Sequence, residues 1–153
     1  MINRKLVLAV SIFIALGTGL SAHAGDSNKS IKGTWSLFVQ GSTTMSSPLA
    51  PSGTPLVAIA TVTFDGEGGC SSIDQIILGG VYIPSRDGFR NTAEGGDCVY
   101  QVNEDGTGFF DVTFSGAGPT TVTFVLAGKN EISFIANNES LGIFGGGKMI
   151  EMK

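Results

Sequence analysis

The sequence predicts an all-β protein: a single antiparallel meander closing into a small barrel of about eight strands. Three observations carry this. Apolar residues recur at every second position in runs rich in Val, Ile, Thr and Phe. Glycine, 23 of 153 residues, falls mostly between those runs, where turns are needed. Beyond residue 24 no apolar stretch with helical period is long enough for a stable helix.

The first segment is of another kind. Arg4 and Lys5 precede the uninterrupted apolar run Leu6 to Leu16; Gly17 and Gly19 then break it, and Ala22-His23-Ala24 offers the small-x-small pattern of a signal-peptidase site. The run is too short to cross the ~30 Å core of a bilayer. Residues 1–24 are therefore expected to be a cleaved signal peptide, and residues 25–153 a single barrel domain in the periplasm or outside the cell. Losing Arg4 and Lys5 takes nine basic side chains to seven against 13 acidic ones, a net charge of −6. Such a domain is a poor partner for phosphate backbones, so no nucleic acid is expected.

The expected strands are 32–40, 55–64, 69–78, 98–104, 107–115, 120–128, 130–137 and 142–152. Asp-Gly at 65–66 and 105–106, Gly-Lys-Asn at 128–130 and Asn-Asn at 137–138 supply tight turns. In the second half one parity reads Tyr100, Val102, Phe110, Val112, Phe114, Val122, Phe124, Leu126, Ile132 and Phe134. The other reads Gln101, Asn103, Asp111, Thr113, Thr121, Thr123, Glu131 and Ser133, with Phe109 and Val125 as exceptions. One oily face and one polar face close economically into a barrel, which also removes the sheet edges; a two-sheet sandwich is the alternative. The Ser/Thr/Pro/Gly stretch 41–55 has the composition of a disordered loop.

The segments "CVYQVNEDGTGFFDVTF" and "EISFIANNESLGIFGGGKM" carry a family resemblance. They resemble a group of small secreted bacterial proteins built on G-x-Y-x-V-N-x-D-G-T-G hairpins, similar to calycins or the allene-oxide-cyclase barrel. The resemblance covers about residues 31 to 150 and implies a small closed barrel. Its motif residues, Tyr100, Val102, Asn103, Asp105, Gly106 and Gly108, are turn and core residues. "GTW" at 33–35 matches the short Gly-x-Trp element of lipocalins.

Catalytic chemistry has little to work with. His23 is the only histidine and lies in the leader, so no Ser-His-Asp or Cys-His set is possible once it is removed. Two cysteines without histidine are too few for a zinc site, and no metal or other cofactor is expected. Cys70 and Cys98 are a candidate disulfide, because exported cysteines meet an oxidising compartment. They open two successive strands, so their pairing requires residues 79–97 to fold back over the barrel. That long connection holds Arg86 and Arg90, which are candidates to clamp an anionic or amphipathic ligand, or else pair with Asp87 and Glu94. Asp111 falls on the polar parity. Asp74 is ambiguous, and facing inward it becomes a candidate acid or polar anchor.

The expected function is non-enzymatic binding of a small apolar or amphipathic ligand among Trp35, Phe64, Phe110, Phe114 and Phe124, with Arg86, Arg90 and Asp74 as polar contacts. A cavity of about 300 Å³ or more favours a carrier, and a filled core favours a structural or surface-interaction protein. An allene-oxide-cyclase-like isomerase using Asp74, Tyr100 or Glu94 is a further alternative. Stable membrane insertion is not expected, because the outward parity is Thr, Ser, Gln and Glu rather than aliphatic.

Overall fold

The computed structural model describes residues 27–47, 50–83, 88–115 and 118–153. Residues 1–26, with the expected leader and cleavage site, and Arg86 with Asp87, lie outside these. Ten strands form one antiparallel sheet: β1 Gly33–Thr43, β2 Pro55–Phe64, β3 Cys70–Leu78, β4 Val81–Ile83, β5 Arg90–Asn91, β6 Asp97–Val102, β7 Thr107–Thr113, β8 Thr120–Gly128, β9 Glu131–Asn138 and β10 Ile143–Glu151. Eight of them match the expected strands, two with identical bounds and the others shifted by at most three residues. Their spatial order is β3-β2-β1-β10-β9-β8-β7-β6. The chain thus wraps so that its first and last expected strands, β1 and β10, pair from Trp35↔Glu151 to Thr43↔Ile143.

The sheet curls until β3 meets β6. The two run antiparallel and touch at one end only, through the Gly69↔Val99 bridge and a hydrogen bond from the Tyr100 amide to the Gly68 carbonyl at 2.8 Å. Cys70 and Cys98 form a disulfide there, with Cα atoms 4.9 Å apart. The described residues of this connection, 79–83 and 88–97, do fold back against β3 and are structured. β4 turns directly against the end of β3 (Leu78↔Val81, Ile77↔Tyr82, Ile76↔Ile83). β5 pairs with its middle (Ile73↔Asn91, Asp74↔Arg90), and the Ser72 amide donates to Thr92 Oγ1 at 3.0 Å. The edge of β3 is therefore covered from Gly69 to Leu78 by three short pieces in succession. Two-to-three-residue strands have no periodicity to read, which is why the sequence shows this stretch only as a long connection.

The end holding the disulfide is solid. Alternation buries Trp35, Phe64, Tyr100, Phe124, Ile132 and Met149 there, each side chain contributing roughly 1.5–3 kcal/mol of transfer free energy. Phe64 packs edge-on against Tyr100 and Phe110, with centroids 4.7 and 5.7 Å apart. Phe124 lies over Gly108; a Cβ there would sit 2.4 Å from its ring, so a glycine is required. A 3-10 turn, Lys29–Ile31, plugs this end, which the sequence did not reveal. Trp35 Nε1 donates to the Ile31 carbonyl at 2.8 Å, and Asn28 Oδ1 accepts from the Val102 amide at 2.8 Å. The Tyr100 hydroxyl donates to the Asn28 carbonyl and accepts from the Gly66 amide.

Two expectations need correction. The described part of 41–55 is hydrogen-bonded rather than loose: Thr43 Oγ1 donates to the Pro51 carbonyl, the Thr54 amide donates to Thr43 Oγ1, and Ala50 is buried against Leu56 and Leu78. The outward face is also less polar than the second half suggested. Phe38 and Ile59, paired across β1 and β2, and Ile135 and Phe144 are about half exposed beside the Lys148–Glu131 ion pair. A uniformly polar exterior therefore no longer argues against membrane contact.

Two predictions follow from the seam and the turn beside it. Replacing Cys70 and Cys98 together by alanine frees a loop of 28 residues and should lower stability by about 3–4 kcal/mol in denaturant titrations; an unchanged midpoint would mean the bridge does not hold the seam. Asp65 Oδ1 accepts the amides of Glu67, Gly68 and Gly69, and these bonds hold its carboxyl below the ordinary value despite partial desolvation. A depressed folded-state value stabilises above the unfolded value of about 3.9 and is lost as pH falls through the folded one. Asp65→Asn should therefore lose less stability than wild type between pH 4 and 2.

Candidate functional site

Above the solid end the barrel is hollow. A cavity of about 80 Å³ lies between β1, β2, β3 and the ends of β7 to β10. Its walls are short aliphatic side chains such as Ala58, Ala60, Val122 and Ala136, together with Phe110 and Phe114. The backbones of β1 and β10 also approach one another closely. Gly41 faces Gly145 across β1 and β10, and a Cβ on Gly41 would lie 2.1 Å from the Phe144 carbonyl oxygen. Only glycine allows those two strands to approach so closely.

One side of the cavity is polar. Ser72 and Asp74, two apart on β3, share the inward face, and both are more than nine-tenths buried. Arg90, carried by β5, reaches in beside them. Its Nε donates to Asp74 Oδ1 at 2.7 Å and its Nη2 to Oδ2. The guanidinium carbon lies 4.3 Å from the centroid of the Phe114 ring. Asp74 is on one edge of the curled sheet and Phe114 follows β7 near the other, so Arg90 spans the seam as a second, non-covalent staple above the disulfide. Burial pushes the Asp74 carboxyl up from its ordinary value, and the hydrogen bonds and charge of Arg90 pull against that shift. At the mouth, Asn138 Nδ2 donates to Thr120 Oγ1 and the Gly118 carbonyl while its Oδ1 accepts the Leu141 amide.

The residues singled out from the sequence separate into two groups. Phe110, Phe114, Asp74 and Arg90 line the cavity, whereas Trp35, Phe64 and Phe124 pack in the solid end away from it. Among the described residues Arg90 pairs with Asp74 rather than with Glu94; Asp87 lies outside them. Arg86 lies outside the described residues. Asp111 accepts from Thr121 Oγ1 on the outward face. Ser72 was missed; the only signal for it was its position two residues before Asp74. Among the described residues no cluster of three His, Cys, Asp or Glu side chains is placed to hold a metal ion, and no helix is long and apolar enough to cross a membrane.

No protein-family model matches the chain, and no curated protein matches it significantly in sequence. Among solved structures the barrel is similar to an S-type phycobiliprotein lyase, CPES, from Guillardia theta. The identity is 10%, the TM-score 0.39, and the match covers 82% of this chain and 90% of that one. So distant a likeness transfers no ligand or activity.

The buried pair yields a prediction with a sign. Arg90→Met leaves the Asp74 carboxylate desolvated and alone, which should cost about 3–5 kcal/mol near pH 7. A folded-state value raised above the unfolded one stabilises only below the unfolded value and is lost as pH rises through the folded one. The deficit should therefore shrink on acidification, and Asp74→Leu/Arg90→Met should recover most of it at pH 7. Chemical denaturation across pH checks both; a pH-independent deficit would show that the two groups do not interact.

Proposed function

We propose that this protein is exported, loses residues 1–24, and binds a small apolar or amphipathic ligand in the open half of its barrel without transforming it. The observation that supports this most is the contrast within one barrel: one end filled by aromatic rings and plugged, the other left hollow and lined by small aliphatic side chains. The space, about 80 Å³ and open at its mouth, is smaller than the ~300 Å³ expected of a carrier and than the ~150 Å³ of a cavity that takes benzene. It suits the end of a short chain, with the remainder leaving through the mouth. The Cys70–Cys98 disulfide is consistent with an oxidising compartment.

The inward carboxylate of Asp74 beside this space favours one second reading, an isomerase. Both of its oxygens are engaged by Arg90 and neither is left to take a substrate proton, so binding is preferred. The two differ in whether a bound compound is recovered unchanged.

Titration of the exported chain with 1-hexanol, followed by methyl NMR, tests the proposal. Saturable shifts are expected at Val112 and Val122 and not at Ile132 or Met149. Ala136→Leu, which fills the space, should abolish them without loss of stability. Shifts that do not saturate, or that survive Ala136→Leu, would contradict binding in the cavity.

A further inference from the structure

The polar side of the cavity says what kind of head group its occupant carries. Of the polar groups there, Asn138 and Thr120 are engaged with each other and with neighbouring backbone. Ser72 is different. Its amide donates to Thr92 Oγ1, but its hydroxyl, on a residue only 3% exposed, makes no hydrogen bond among the described residues. The residue lines the cavity, so this hydroxyl is available to hydrogen-bond a molecule held there.

Arg90 is in a similar position. A guanidinium has five N–H groups, and two of Arg90's are given to Asp74. Arg90 and Ser72 line the same cavity, and Ser72 is two residues along β3 from the Asp74 that Arg90 holds. The charge there is already balanced, because Asp74 neutralises Arg90. A carboxylate brought to this corner would meet Asp74, and an ammonium would meet Arg90. An uncharged hydrogen-bond acceptor meets neither penalty.

We propose that the cavity selects short aliphatic molecules bearing a neutral carbonyl, such as a ketone, with the oxygen accepting from Ser72 and Arg90 and the chain against Ala58, Ala136 and Val122. This rests on the cavity being a binding site, as argued above. It adds the class of ligand and a specificity residue, Ser72.

Four probes of matched size decide it on the full exported chain: 2-hexanone, 2-methyl-1-hexene (a methylene in place of the oxygen), hexanoate and hexylammonium. Affinities are read from the same methyl shifts. Expected is that 2-hexanone binds at least about tenfold more tightly than each of the others. Ser72→Ala should weaken 2-hexanone by about three- to tenfold and leave 2-methyl-1-hexene unchanged. Equal binding of ketone and alkene, tighter binding of either ion, or an equal effect of Ser72→Ala on ketone and alkene would overturn the selectivity while leaving the binding site intact. Failure of every probe to bind would overturn both.

Discussion

Eight tilted strands bring β3 and β6 together over only a few residues, and the rest of the structure depends on how that incomplete seam is closed. At the solid end the closure is ordinary: a β-bridge, a backbone hydrogen bond and the Cys70–Cys98 disulfide. Farther along, β6 diverges and leaves β3 with unpaired backbone groups, which a barrel cannot leave open to another chain. The connection 79–97 answers this by supplying β4, β5 and Thr92 as substitute partners. A consequence is that the wall beside β3 is made of short pieces, and one of them, β5, brings Arg90 against the inward Asp74 of β3. The polar corner of the cavity is thus a product of how the seam is completed.

The same constraint explains why the barrel is solid at one end and hollow at the other. Where β3 and β6 are bridged, aromatic rings from opposite walls reach each other, and the 3-10 turn covers them from outside. Toward the other end small inward residues, Ala58, Ala60, Val122 and Ala136, stand among larger ones such as Leu37, Leu56 and Phe134, and a cavity is left between them. A buried ion pair seldom adds net stability over apolar residues of the same shape. Retaining Asp74 and Arg90 beside empty apolar space therefore points to a task for them beyond holding the fold.

Much of this was legible in the sequence, because alternation over six to eleven residues survives in the long strands other than β3, where Asp74, Gln75 and Ile76 are buried in succession. The run 55–64 was placed to the residue, and the inward parity of β6 to β9 was read from Tyr100 through Phe134. Features without periodicity escaped: β4, β5, and the turn that places Asn28 and Ile31 under the barrel. For Asp74, isoleucines on both parities of β3 hid the inward face, since Ile73 and Tyr82 lie outside while Ile76 is covered. Composition also overstated the cavity. Five aromatic residues were expected around a ligand, yet three of them serve to fill the plugged end, and burial alone does not separate packing from lining.

The most direct measurement of whether one half of this barrel is solid and the other empty uses xenon, which partitions into dry apolar cavities. With the protein under xenon pressure, methyl NMR should show saturable shifts at Ala58, Val122 and Ala136 and none at Ile31, Ile132 or Met149. Shifts absent from the first group, or equal in both, would contradict the division of the interior on which the functional account stands.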